Sequence, residues 1–167
     1  HAEQVLRAIE AGKHVFVEKP LSINNDQLAK INEKINSLEQ PPLLMVGFNR
    51  RFAPHILKMK SLLESRRAPK SVVITVNAGV MPADHWIQDR EVGGGRIIGE
   101  GCHFIDLMRF LVGHSITGHQ AMIMGDVPGL EVRDDKVSIN LSFADGSFGT
   151  IHYFANGGKT FPKERIE

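Results

Sequence analysis

The sequence predicts an α/β piece followed by an α+β piece with a mainly antiparallel open sheet. Three observations carry this. Two short apolar runs, Val15–Val17 and Leu43–Val46, each follow a stretch with helical periodicity. Helix–strand–helix–strand over residues 1–47 implies parallel strands joined by right-handed crossovers. From residue 115 onward the apolar period changes to two, and Asp145-Gly146 marks a hairpin. The pattern changes near residues 47–53, which divides the chain into units 1–48 and 49–167.

In chain order, Ala2, Val5, Leu6 and Ile9 recur at helical spacing, and Gly12 suits the position just past a helix end. Val15, Phe16 and Val17 then predict a strand buried on both faces, as inside a parallel sheet. A rigid turn after it is compatible with a cis Lys19–Pro20 bond. Asn24 is placed to cap the next helix, with Gln27 as its capping-box partner. Leu28, Ile31, Ile35 and Leu38 form that helix's stripe, and Pro41-Pro42 end it before the second strand. Pro54 suits the first turn of a third helix whose buried side is Ile56, Met59 and Leu63. Ser71–Ala78 reads as a strand and residues 79–99 as an irregular loop, with Trp86 as its anchor and Gly93-Gly94-Gly95 as a flexible segment. Phe104, Leu107, Met108 and Leu111 mark a fourth helix, stopped by Gly113. His119–Met124 is a strand. Val137, Ile139, Leu141 and Phe143 alternate with polar residues along another. A two-residue type I′ turn at Asp145-Gly146 would pair Phe143 with Phe148, Leu141 with Thr150, Ile139 with His152 and Val137 with Phe154. No closing element is predicted before Glu167, and the chain reads as cut from something longer.

Composition narrows the function classes. Apolar residues are 42% of the 167, enough for a core. Twenty basic against 19 acidic residues give no electrostatic reason to expect nucleic acid or an anionic membrane as partner. The single cysteine, Cys102, leaves no internal disulfide and fits a reducing cytoplasm. No apolar run approaches the roughly 20 residues that span a bilayer. The histidines show no metal-ligand spacing.

Two residues draw chemical interest. Lys19 follows the first strand directly, at the edge where open α/β sheets bind ligands. It reads either as a solvated surface lysine or as a cation that stabilises a developing alkoxide. His103 is placed at the first turn of the fourth helix, where the dipole disfavours its protonated form. That suits a general base, with Asp106 three residues on to orient the ring; a packing histidine is the alternative reading. Arg50 and Arg51 could pair with a phosphate or carboxylate, or belong to a solvated loop.

Three stretches in this order resemble the glucose–fructose oxidoreductase/inositol dehydrogenase (Gfo/Idh/MocA) family: Ala11-Gly-Lys-His-Val-Phe-Val-Glu-Lys-Pro-Leu21, Gly47-Phe-Asn-Arg-Arg-Phe-Ala-Pro54, and Gly93-Gly-Gly-Arg-Ile-Ile-Gly-Glu-Gly-Cys-His-Phe-Ile-Asp106. The resemblance implies that residues 1–48 are the end of a Rossmann domain binding NAD or NADP, with Glu18, Lys19 and Pro20 at the cofactor. It implies that residues 49–167 are a substrate domain whose open sheet assembles a homo-oligomer. Lys19 would lie beside nicotinamide and substrate, and His103 would be acid or base at the hydroxyl of a polyol or sugar-like substrate. Arg50, Arg51 and Glu100 would help hold that substrate. Two departures are visible. Gly99 stands where the family commonly has an aspartate four residues before the histidine, with Glu100 as its neighbour. The glycine-rich dinucleotide fingerprint is absent, so this stretch alone is expected to be inactive. The rival expectation is a non-catalytic binding or oligomerisation module of the same fold.

Overall fold

The computed structural model describes residues 1–82, 84–125, 135–158 and 160–167. The chain forms two compact units, His1–Phe48 with Trp86–Cys102, and Asn49–His85 with His103–Glu167.

In the first unit, α1 (Ala2–Glu10) leads through Gly12, at φ +67°, into β1 (Val15–Val17). Helix α2 (Asn25–Asn36) is capped by Asn24, whose side chain accepts from the Gln27 amide at 2.9 Å. The Gln27 side chain reaches back one residue further than a standard capping box, accepting from the Ile23 amide at 3.0 Å. Strand β2 (Leu44–Val46) pairs with β1 in parallel, Phe16 opposite Met45. The core is Ala2, Val5 and Ile9 of α1 against Ile31 of α2, with Val15, Val17 and Leu44 packed onto it. Each fully buried aliphatic chain there contributes about 1.5–3 kcal/mol.

The expectation that β1 is dry on both faces is not met. Its burial alternates, and Phe16 is 66% exposed beside Met45 at 48%. Helices α1 and α2 cover the face of Val15 and Val17, and among the described residues the opposite face of the strand is left uncovered.

In the second unit, a 3-10 turn (Asn49–Phe52) precedes α3 (Pro54–Glu64), with Pro54 in the first turn as its sequence suggests. Strand β3 (Ser71–Asn77), α4 (Cys102–Val112), β4 (Ile116–Ile123), β5 (Lys136–Phe143), β6 (Phe148–Phe154) and β7 (Glu164–Ile166) follow. The sheet order is β4-β5-β6-β3-β7, antiparallel except for the central β3–β6 pair, which is parallel over seven residues. The short β7 has only Ile166 as an inward apolar residue, so no periodic signal announced it. Phe104, Leu107, Met108 and Leu111 of α4 are buried, as are Val72, Ile74, Val76, Val137, Ile139, Leu141, Ile151 and Tyr153 of the sheet. Gly149 makes room for the helix: a Cβ there would stand 2.5 Å from Met108 Sδ and 2.7 Å from the Val72 carbonyl oxygen.

The hairpin register differs by one residue from the expected one. Ser142 faces Phe148, Ile139 faces Ile151 and Val137 faces Tyr153. The loop has three residues, Ala144 to Gly146, closed by Phe143 N–H donating to Ser147 O at 2.9 Å. A type I′ turn needs positive φ at both central residues, and only Gly146 has it, at +83°. Asp145 is held otherwise: its carboxylate accepts from the Ser147 amide at 3.0 Å and the Ser147 hydroxyl at 2.8 Å. The slip turns Ile151 and Tyr153 inward and leaves Phe148 59% exposed.

Candidate functional site

The carboxyl end of β1 runs into Glu18, Lys19 and a cis Lys19–Pro20 bond. The half-buried Lys19 amine donates to the Gly99 carbonyl oxygen at 2.7 Å, across 80 residues of sequence. Glu18 lies over the end of β2, where a Cβ on Gly47 would stand 3.2 Å from its carboxylate. Gly47 in turn donates to the Val17 carbonyl at 2.7 Å, so the absence of a side chain at 47 lets the two strand ends and Glu18 close up. A cleft of about 250 Å³ opens beside Lys19 and Pro20, bordered by Ser22, Gln27, Trp86 and Val92.

The loop over that cleft corrects two expectations. Trp86 does not anchor it from within: it sits in a 3-10 turn (Trp86–Gln88) and is 60% exposed. The three glycines meet backbone demands instead of serving as slack. A Cβ on Gly93 would stand 2.5 Å from Ile87 Cα, and Gly94 and Gly95 take φ of +74° and +83°. Gly94 also packs against Ile23, which holds the loop to the segment after Pro20. The run of glycines was the available signal for this close packing.

Gly99 lies in a π-helix (Ile97–Gly101), a short widened segment of the kind common at functional sites. It is buried, and a Cβ there would stand 3.0 Å from Ile87 Cδ1. Its carbonyl oxygen, which no side-chain pattern could reveal, is what reaches Lys19. Glu100 pairs with Arg96 at 3.3 Å, four residues earlier.

His103 is 5% exposed in α4. It is the second residue of α4, in the first turn as expected, but the π-helix leads directly into α4 at Cys102, so no free helix end stands there. The dipole argument, which needs a free N-terminal end at this point, therefore does not apply. Asp106 is engaged elsewhere: Arg51 grips it with Nε at 2.6 Å and with Nη2 on the other oxygen. The hydrogen bond to Asp106 raises the Arg51 guanidinium above its ordinary pKa, against the opposing effect of burial. Arg50 pairs with Glu164, Nε at 3.2 Å and Nη2 at 2.5 Å, and lies 4.7 Å over the Phe104 ring. Both arginine forks are thus occupied by carboxylates of their own unit. Among the described residues no group of histidine, cysteine or carboxylate side chains could hold a metal ion, and no helix is long and apolar enough to cross a membrane.

Comparison with known proteins agrees with this architecture. Residues 1–48 match the oxidoreductase family with NAD-binding Rossmann fold, and residues 56–166 match the GFO/IDH/MocA C-terminal domain. Inositol 2-dehydrogenase 2 of Saccharopolyspora erythraea is 36% identical over 95% of this chain and 45% of its own length. Inositol 2-dehydrogenase of Rhizobium meliloti is 28% identical over 90% of this chain and 46% of its own. The crystal structure of a putative myo-inositol dehydrogenase from Sinorhizobium meliloti superposes with a TM-score of 0.77 at 25% identity, over 99% of this chain and 50% of that one. The chain thus spans about half the length of the relatives it matches. With a Rossmann remnant, a mostly antiparallel substrate-domain sheet and both family models matched in order, the chain belongs to the GFO/IDH/MocA oxidoreductase family.

Proposed function

We propose that the full-length protein is an NAD(P)-dependent oxidoreductase that moves a hydride between nicotinamide and an alcohol carbon of a cyclitol, sugar or related small molecule. The observation that carries this is the Lys19 amine, fixed at the carboxyl edge of a parallel sheet by its bond to the Gly99 carbonyl. The names of the relatives, inositol dehydrogenases among them, support the substrate class. Glu18, Lys19 and Pro20 are the residues of this chain that would hold the nicotinamide end of the cofactor; the open cleft beside Lys19 and Pro20 fits that assignment. Bound NAD(P) supplies the hydride acceptor.

In this reading Lys19 stabilises the negative charge that grows on the substrate oxygen, and His103 takes the hydroxyl proton as general base. Arg50, Arg51 and Glu100 are each paired with another charged side chain, so in this reading they support the substrate site through those pairs and do not grip the substrate directly. The outer face of the five-stranded sheet, with Ser138, Asn140, Thr150 and His152, joins copies into a homo-oligomer. The cytoplasm is the working compartment.

A second reading, a binding or assembly module without chemistry, is favoured by position 99. A carboxylate there would have to displace Ile87, and Glu100 is turned to Arg96. One experiment separates the two. The full-length protein is assayed for nicotinamide reduction against cyclitols and sugars, with Lys19→Ala and His103→Ala beside it. The enzyme reading expects turnover that each substitution lowers by about 100-fold or more. Tight NAD(P) binding without turnover of any alcohol favours the module.

A further inference from the structure

We infer that a basic cleft at the C-terminal ends of α3 and α4 binds a small molecule carrying two or more phosphoryl groups, independently of the oxidoreductase chemistry. The cleft has a volume of about 360 Å³ and is bordered by Lys60, Arg66, Arg67 and Lys70, with Glu64 and Asp145 as its carboxylates. All of these residues belong to the second unit. Four cations against two carboxylates is a marked local excess in a chain of 20 basic and 19 acidic residues. None of the six is among the residues assigned above to cofactor or substrate.

Both carboxylates are already engaged. Glu64 Oε1 lies 3.7 Å from the Lys60 amine, one turn back on α3. Asp145 accepts from the Ser147 hydroxyl at 2.8 Å and lies 3.6 Å from His114 Nε2. Among the described residues, the side chains of Arg66, Arg67 and Lys70 have no carboxylate partner. A cation just past a helix C-terminus complements the dipole, which accounts for one arginine after α3. It does not account for three unpaired cations within five residues. An anion seated among them relieves their mutual repulsion.

The main chain holds the cleft in place. Lys70 N–H donates to Ser147 Oγ at 2.8 Å, and the same hydroxyl donates to Asp145, so the segment entering β3 is tied to the β5–β6 turn. Pro69 stiffens the backbone between Arg67 and Lys70 and lies 3.8 Å from where a Cβ on Gly146 would stand. Gly113, at φ +85°, leaves room for the Lys60 amine, which would be 2.9 Å from a Cβ there. Leu63 and the buried Val112 line the cleft as well, and apolar walls behind charges of one sign focus their field. The volume falls in the range of about 300–1000 Å³ typical of small-molecule pockets. Each arginine offers a planar fork of N–H donors, the geometry that phosphoryl oxygens accept. A second cleft, of about 260 Å³, shares Lys60, Gly113 and His114 and adds Arg109 to the positive surface.

Calorimetric titration of the full-length protein tests this, with NAD in excess so that a dinucleotide site is already filled. The probes are inorganic tripolyphosphate, pyrophosphate and orthophosphate at one fixed ionic strength. Saturable binding is expected, about tenfold or more tighter for tripolyphosphate than for orthophosphate. Replacing both exposed arginines, Arg66→Ser with Arg67→Ser, should weaken tripolyphosphate about 100-fold. The control pair Lys13→Ser with Lys30→Ser removes the same charge from exposed positions of the first unit and should leave binding unchanged. No saturable binding, or equal weakening by the two pairs, overturns the inference. A phosphorylated lipid head group carries the same chemistry, so sedimentation with phosphatidylcholine vesicles containing phosphatidylinositol 4,5-bisphosphate forms a second arm. Capture that the arginine pair abolishes would assign the site to a membrane lipid and overturn the small soluble ligand; no capture supports it. Turnover of alcohols plays no part in either arm, so the oxidoreductase reading stands or falls separately.

Discussion

The two sheets meet solvent in opposite ways. In the two-stranded sheet the uncovered face presents Phe16 opposite Met45. In the five-stranded sheet the outer face of β5 presents Ser138, Asn140 and Ser142, while its inner face presents Val137, Ile139 and Leu141. Strict alternation marks a sheet meant to have one wet side. An apolar run without alternation marks a strand whose sequence asks for cover on both sides, whether or not the cover is at hand. The difference teaches that strand composition states a demand, and burial shows how far neighbouring elements meet it.

Paired substitutions test that contrast. Ile151→Ala, at a fully buried position, should cost about 2–5 kcal/mol in chemical denaturation, whereas Phe16→Ser should change stability by no more than about 0.5 kcal/mol. A comparable loss at Phe16 would mean that the exposed face of β1 is covered in solution. The arginines repeat the comparison at the scale of single pairs. Arg51→Ala strands the buried Asp106 carboxylate and should cost about 3 kcal/mol. Arg50→Ala, which releases a more exposed Glu164, should cost about 1 kcal/mol. Next comes Gly93→Ala, whose methyl group meets the backbone of Ile87; about 1–3 kcal/mol is expected, together with a shift in Trp86 emission that a remote cavity would not produce.

The smallest effect belongs to Asp145. Desolvation pushes its carboxyl up, but hydrogen bonds from the Ser147 side chain and amide, with His114 nearby, outweigh this and leave it below its ordinary value. Its stabilising effect is therefore full above the unfolded-state pKa, about 3.9, and is lost as pH falls through the lower folded value. Asp145→Asn should lower stability slightly at neutral pH and flatten the acid flank below about pH 4, where variant and wild type converge. An acid flank identical to wild type would show that the turn does not depend on this charge.

Much of the architecture was legible because it follows from period. The stripes of α1 and α2, the Asn24 cap, Pro54 and the alternation of β5 each state a local preference that packing then honours. Register was not legible, because both faces of β6 carry bulky residues: Phe148, His152 and Phe154 on one, Ile151 and Tyr153 on the other. The choice fell to the Asp145 side chain, which favours a three-residue loop by binding Ser147. The site was legible only in its side chains. Lys19 stands out as the first cation after a strand, but its partner is a carbonyl oxygen 80 residues away, and main-chain acceptors leave no mark on composition. Asp106 misled for a related reason. Spacing along a helix offered it to His103, while its actual partner, Arg51, lies 55 residues upstream.

The bond between Lys19 and position 99 has an evolutionary corollary. A carboxylate that steadies an amine can be erased by one codon change; a peptide oxygen cannot, since every amino acid supplies one. Drift at this locus can move the acceptor but never delete it, so the lysine keeps a tether that is robust to mutation and carries no formal charge.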